Sequence, residues 1–162
     1  MGTNNYRAHV HVIPEDDANR ELANGFVLGL SSANSRAIQI LNPADGWPKL
    51  LDKFESYHVA GMRAFPHRLV VLLMDFDDDV NRLSRVERSI PQDLKDRVFV
   101  LGTQSEPERL KSDLGSHYET IGLRLANDCR ECISEFWGHR LLRHNAAELI
   151  RLNERVRPIL FP

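Results

Sequence analysis

The seven residues Arg68-Leu-Val-Val-Leu-Leu-Met74 constrain the fold of this chain more than any other stretch. After the arginine every side chain is aliphatic or methionine, so an extended strand here is apolar on both faces. Such a strand is stable only in the middle of a parallel sheet that is covered on both sides. Three shorter runs read as its companions: Arg7–Ile13, Ala37–Leu41 and Arg97–Leu101. Between them the apolar positions recur at three- and four-residue steps. Leu22, Ala23, Phe26, Val27 and Leu30 mark a helix over Ala18–Leu30, and Leu50, Leu51, Phe54 and Tyr57 mark one from Pro48 to about Arg63. Further helices are expected over Val80–Arg88 and Pro91–Lys95. Strands alternating with helices predict an α/β fold: three layers, with a mainly parallel four-stranded sheet flanked by helices.

Beyond the fourth strand the pattern is helical, with a break near Gly115–His117, a last helix over Arg143–Arg155, and a terminal strand or tail at Pro158–Phe161. The expectation is one domain over 1–162, with a core at 7–110 and a helical extension at 111–162. A chain of 162 residues can bury a core without disulfide staples. Cys129 and Cys132 are too few for a secreted disulfide framework. No apolar run reaches the roughly 20 residues of a membrane span, and the polar start, Met1–Tyr6, does not resemble a signal peptide. A cytoplasmic location is therefore expected.

A formal charge of −2 and a pI near 6.4 argue against an autonomous, strongly cationic nucleic-acid binder. The charge is unevenly spread. Asp75–Asp79 holds four aspartates in five residues, whereas Gly138–Pro162 carries five arginines against two glutamates. That leaves room for a basic surface beside an acidic site.

In open α/β sheets the functional crevice lies at the carboxyl ends of the strands. The first strand ends in Glu15-Asp16-Asp17, the third in Asp75-Phe-Asp77-Asp78-Asp79, and the fourth in Thr103-Gln-Ser-Glu106. If the first and third strands are neighbours, Glu15 and Asp75 face each other. Residues two apart in extended backbone share a face, so Asp75 and Asp77 converge while Phe76 turns inward. Clustered carboxylates resist joint ionisation unless a cation neutralises them. A hard ion such as Mg²⁺ takes one or two carboxylates and completes its shell with water and phosphate. The plainer reading of the same acids is a solvated loop, with Asp78 and Asp79 capping one helix and Asp16 or Asp17 another.

These residues, in this order of elements, resemble the TOPRIM domain of primases, type IA and type II topoisomerases and OLD-family nucleases. That domain carries a glutamate after its first strand and an Asp-x-Asp pair after its third, matched here by Glu15 and by Asp75 with Asp77. The resemblance covers roughly Arg7–Leu110 and looks closest to small stand-alone TOPRIM-like proteins of bacteria and phage-defence loci, some of which work beside an ATPase partner. It implies Mg²⁺- or Mn²⁺-dependent cleavage of DNA or RNA phosphodiesters, with metal on Asp75 and Asp77. Glu15 would serve as general acid/base or further ligand, and Glu106 would help to hold a second ion. Two features depart from the family: Asp16 follows Glu15 where the family has glycine, and no glycine follows shortly after Asp77.

Other readings stay open beside this one. Asp16, Asp17, Asp75 and Thr103 also suit a response-regulator receiver, but no lysine follows Lys111 to end a fifth strand. Haloacid-dehalogenase phosphatases place their Asp-x-Asp after the first strand, not the third. Cys129 and Cys132 have Cys-x-x-Cys spacing, and zinc would need His139 and His144 besides; incidental thiols are the simpler expectation. His9 and His11 read as packing residues, as do Trp47 and Trp137. Arg140, Arg143 and His144 are candidates for contacting a nucleic-acid backbone. A catalytically silent subunit partnering an ATPase or nucleic-acid-binding chain is the second functional expectation, and a homo-oligomer is compatible with either.

Overall fold

In the computed structural model, which describes residues 2–162, the chain forms four strands: β1 (His9–Pro14), β2 (Ile38–Ile40), β3 (Arg68–Asp75) and β4 (Val98–Thr103). All pair in parallel, in the order β2-β1-β3-β4. β3 is paired on both sides and buried on both faces, as its composition requires. Leu69 and Val71 enter one core with Val10, Val12, Phe99 and Leu101, while Val70, Leu72 and Met74 enter the other with Ile13, Val98 and Val100.

The helices are α1 (Asp17–Leu28), α2 (Trp47–Lys53), α3 (Val59–Ala64), α4 (Arg82–Arg88), α5 (Pro107–Leu114), α6 (Tyr118–Glu131), α7 (Ala146–Arg155) and α8 (Arg157–Leu160). The first core is closed by α1, α5, α6, α7 and α8, the second by α2, α3 and α4, which makes three layers. The helices of 111–162 belong to the first core, where Ile121, Leu125, Leu152 and Leu160 are buried. α1 and α6 touch at the level of backbone. A Cβ on Gly122 would lie 2.0 Å from the Leu22 carbonyl oxygen, and one on Gly25 would lie 2.1 Å from that of Glu119.

The outer edge of β4 is sealed by side chains rather than by a strand. Glu148 accepts from the Val100 N–H at 2.7 Å, and the Asn145 amide both accepts from and donates to Gly102, at 3.2 and 2.9 Å. An edge so occupied offers no template for another strand.

Several local details differ from expectation. The helix anticipated from Pro48 to Arg63 contains a π-helical turn over Phe54–His58. Its wider winding turns His58 inward and leaves Tyr57 73% exposed. Pro158–Phe161 is not a strand: Pro158 sits in the first turn of α8, where its missing N–H is harmless, and Leu160 is buried. Cys132 lies past the end of α6 as its left-handed C-cap. Among the described residues no helix is long and apolar enough to cross a membrane.

β2 and β3 flank β1 on opposite sides, and the connections through α1 and through α2 and α3 cover opposite faces. The crevice therefore opens between β1 and β3, at their carboxyl ends.

Candidate functional site

Glu15 leaves β1 with its N–H still on the ladder, donating to the Leu73 carbonyl at 2.8 Å. Its carboxylate reaches across to β3, where Oε2 accepts from the Asp75 N–H at 2.7 Å. Both residues are buried, at 8% and 7% exposure. One hydrogen bond thus joins the two acids that the sequence placed on neighbouring strands.

Asp16 comes next and begins α1. Its Oδ1 accepts from the Asn19 backbone N–H at 2.9 Å, the N-cap bond expected of an aspartate there. The same Oδ1 accepts from Asn19 Nδ2 at 3.0 Å, and that nitrogen also donates to Asp75 Oδ1 at 3.1 Å. The carboxyl groups of Asp16 and Asp75 are thereby held within two hydrogen-bond lengths of each other by one fully buried amide. Thr103 Oγ1, from the end of β4, lies 3.3 Å from Asp75 Oδ1 and 2.7 Å from the Ser105 carbonyl. With one proton for two acceptors, the hydroxyl serves the nearer. Behind Asn19 and Thr103 lies an apolar cavity of about 80 Å³, walled by Val12, Val71, Leu73 and Leu101 among others, so little on that side solvates charge.

The electrostatics follow from this enclosure. Burial, then the neighbouring Asp16 and Glu15 carboxylates, push the Asp75 pKa up from 3.8 to about 8, against the opposing hydrogen bond from Asn19. Burial also raises Glu15, and the bond from the Asp75 N–H works against it. Asp75 at neutral pH is a carboxyl group that keeps its proton unless a cation arrives.

β3 ends at Asp75, and the chain then leaves extended geometry. Phe76 donates its N–H to the Thr103 carbonyl at 3.0 Å and buries its ring, as alternation predicted. Asp77 and Asp78 follow with φ of 47° and 56°. Left-handed backbone costs a residue with a Cβ roughly 1–2 kcal/mol, and aspartate tolerates it better than most. Asp77 therefore does not continue the strand face of Asp75. Its Oδ2 accepts from Arg82 Nη1 at 2.8 Å, and that Nη1 also donates to the Asp75 carbonyl at 2.7 Å. The Arg82 guanidinium stacks on the Trp47 ring at 5.1 Å, with Nε buried and unpartnered.

Glu15, Asp16, Asp75 and Asp77 each have one carboxylate oxygen bonded to the protein and one with no protein donor. Free carboxylate oxygens are the donor chemistry that Mg²⁺ or Mn²⁺ takes. Among the described residues no three His, Cys, Asp or Glu side chains already surround a common point. A Mg²⁺ site does not require that, since one or two carboxylates and several waters suffice.

The remaining candidates are dispersed. Glu106 is exposed at the N-cap of α5, and no hydrogen bond of the crevice reaches it. Arg140 is paired with Asp113 at 2.9 Å, beside His139 at 3.3 Å. Arg143 is exposed, and the His144 ring meets Phe76 edge-on at 5.3 Å. Cys129 is buried, which pushes its thiol up to about 11, and Cys132 is exposed. Trp137 packs in the first core with its indole N–H on the Leu125 carbonyl at 3.1 Å.

The sequence pattern marks Asp16 as a helix cap or a receiver-type acid, not as a member of the TOPRIM-like set, and it singles out neither Asn19 nor Arg82. For Asn19 a signal existed: it stands three residues after the cap, on the turn that faces the strand ends. Nothing local marked Arg82, whose role depends on a turn of unusual backbone. Comparison with protein-family models, with curated proteins and with solved structures yields no significant match for this chain.

Proposed function

We propose that this protein is a Mg²⁺- or Mn²⁺-dependent phosphodiesterase of TOPRIM-like type, acting as a nuclease on DNA or RNA. The observation that supports it most is Asp75: a buried carboxyl group beside Glu15 and Asp16 at the switch point of a parallel sheet, poorly able to ionise without a cation. Asp75 and Asp77 would hold the metal, and Glu15 would ligate it or take a proton from the attacking water. Asp16 joins this set on the same footing as Glu15, being tied to Asp75 by Asn19. The ion supplies water activation and neutralises charge on the phosphate. Asn19 fixes the direction of two carboxylates, and the apolar wall behind it excludes water from one side. His144 packs on Phe76, the residue after Asp75, and Arg143 stands exposed beside it in sequence, where phosphate contacts would help to position a strand.

The test is cleavage of single- and double-stranded DNA and RNA, with and without Mg²⁺ or Mn²⁺, by the wild type and by Asp75→Asn. Cleavage that needs the metal and disappears in a folded Asp75→Asn protein is the expected result. A second reading, a silent interaction subunit beside an ATPase or nucleic-acid-binding chain, draws on Arg82 occupying Asp77 and on the net charge of −2. It predicts no metal-dependent cleavage and full tolerance of Asp75→Asn.

A further inference from the structure

The cavity behind Asn19 and Thr103 lies in the first core, between the sheet and helices α1, α6 and α7. Val12, Val71, Leu101 and Leu125 are among its walls, its volume is about 80 Å³, and its lining is almost wholly apolar. One water occupies about 30 Å³ in the liquid, so the space itself would admit more than one. A buried water needs two to four polar partners, however, and carbon walls supply none. A molecule with an apolar body restores the dispersion contacts that such a gap costs its walls.

One polar atom on the lining is unpaired. Asn19 is fully buried, and its Nδ2 donates to Asp16 Oδ1 and Asp75 Oδ1 at 3.0 and 3.1 Å. Asp16 Oδ1 also accepts the Asn19 backbone N–H, so it fixes which end of the amide is nitrogen. Asn19 Oδ1 is left as a buried acceptor with no donor. The other polar groups along the lining are answered within the protein. The Thr103 hydroxyl donates to the Ser105 carbonyl at 2.7 Å and Trp137 Nε1 to the Leu125 carbonyl at 3.1 Å, while Gly102 is bonded twice to the Asn145 amide. An unpaired buried acceptor is costly, so the cavity favours a molecule that brings one donor and is otherwise hydrocarbon.

We propose that this cavity binds a small aliphatic alcohol, or a molecule of the same chemistry, whose hydroxyl donates to Asn19 Oδ1 while its hydrocarbon lies among Val12, Val71, Leu101 and Leu125. An engineered apolar cavity of roughly 150 Å³ takes benzene, and at the same filling this one takes about three or four non-hydrogen atoms, the size of ethanol or propanol. A charged molecule, or one with a second polar group, is rejected because that group would meet only carbon. Phe26 of α1 and Ile40 of β2 belong to the lining and are only partly buried, which gives a ligand a way in along that edge. The site stands apart from the reaction at the strand ends and needs no metal.

The experiment is a titration of the whole protein with n-propanol, followed by NMR of its methyl groups. Those of Val12, Val71, Leu101 and Leu125 should shift together and saturate, with a Kd on the order of 1 mM. Those of Ile13, Leu72 and Val100, in the second core, should stay still. n-Propyl chloride, of the same length but with no donor, should bind about tenfold more weakly. Ala23→Val, which puts carbon into the same space, should abolish the saturable shifts. Shifts that grow in proportion to the alcohol in both cores are a solvent effect and overturn the site. So does equal affinity for the two compounds, which leaves Asn19 no part in recognition. Should Ala23→Val fail to fold, xenon NMR of the wild type decides. Propanol should displace bound xenon, and xenon that does not bind, or binds undisturbed by propanol, overturns the proposal.

Discussion

The two ends of the β1–β3 pair hold buried polar clusters that obey the same physics and reach opposite outcomes. At the amino end lie His9, His11, His58 and Arg68; at the carboxyl end lie Glu15 and Asp75, with half-buried Asp16 beside them. Burial opposes the charged form at both. It lowers His9 and His58 and takes His11 down from 6.5 to about 4, with the Arg68 charge adding to the effect. These histidines are neutral at pH 7 and mostly partnered. His9 Nδ1 meets the Arg7 carbonyl at 2.6 Å, so Nε2 accepts from Arg68 at 3.0 Å, and His11 pairs with Thr3 at 3.1 Å. A base whose pKa falls far below neutrality is at rest there. An acid pushed up to about 8 is not, because its titration falls in the working range. The same enclosure therefore leaves neutral bases at one end and, at the other, an acid whose titration lies near neutrality.

Asp75→Asn should break this contrast with the largest effect. The Asp75 pKa is raised in the folded state, so the native protein binds more protons than the unfolded chain between about 3.8 and about 8. Stability from this group is intact below the lower value and is lost as pH rises through the upper one. Asparagine, with nothing to ionise and the same shape, should be more stable than the wild type by up to about 5 kcal/mol in metal-free buffer at pH 9. The difference should vanish near pH 4. Added Mg²⁺ should stabilise the wild type and not the variant, by mass action. Denaturant melts across that pH range read both effects. An Asp75→Asn protein that is weaker at every pH would make this carboxyl group as settled as the histidines.

The complementary change at the amino end has a smaller effect of opposite slope. His11 is depressed on folding, so the unfolded chain binds more protons between 6.5 and about 4, and stability falls as pH drops through that window. His11→Gln keeps an acceptor for Thr3 and removes the titration. It should flatten the acid limb, sparing about 2 kcal/mol at pH 4.5, while leaving the Mg²⁺ response at pH 8 unaltered. Thermal melts at the two pH values check both halves. A changed Mg²⁺ response would show that the ends are coupled through the sheet.

The two clusters also differ in how far sequence exposes them. The sheet was legible because β3 is apolar on both faces, and that single fact implies parallel neighbours and two covering layers. The adjacency of Glu15 and Asp75 followed from placing β1 beside β3. What escaped were features decided by distant contacts or by small changes of backbone. The turn at Asp77 and Asp78 is left-handed, so the two-residue alternation that held for Phe76 fails one residue later. The π-helical turn at Phe54–His58 swaps Tyr57 for His58 on the buried face and so completes the histidine cluster. Asp16 looked like a cap and is one, but its second contact depends on Asn19 meeting a strand 56 residues on. Local pattern reports what a residue does for its own helix. It says nothing of what that helix is laid against.

Asp16 also supplies the smallest and sharpest test. Burial is the chief cause of the raised Asp75 pKa, and the Asp16 charge comes next, ahead of Glu15. Asp16→Asn keeps the cap, since asparagine and aspartate cap about equally well, and leaves the Asn19 amide an oxygen to meet. Overall stability at pH 6 should therefore change by no more than about 0.5 kcal/mol. The proton on Asp75 should nonetheless leave earlier, with a midpoint lower by roughly one unit, as removal of a nearby like charge requires. Carbon-13 NMR of the Asp75 carboxyl group, followed against pH in metal-free buffer, measures that midpoint directly. An unchanged midpoint would assign the shift to enclosure alone, and Asp16 would return to being a helix cap. A lowered one would make the crevice a true cluster of interacting carboxylates, the property by which it differs from the histidines at the far end.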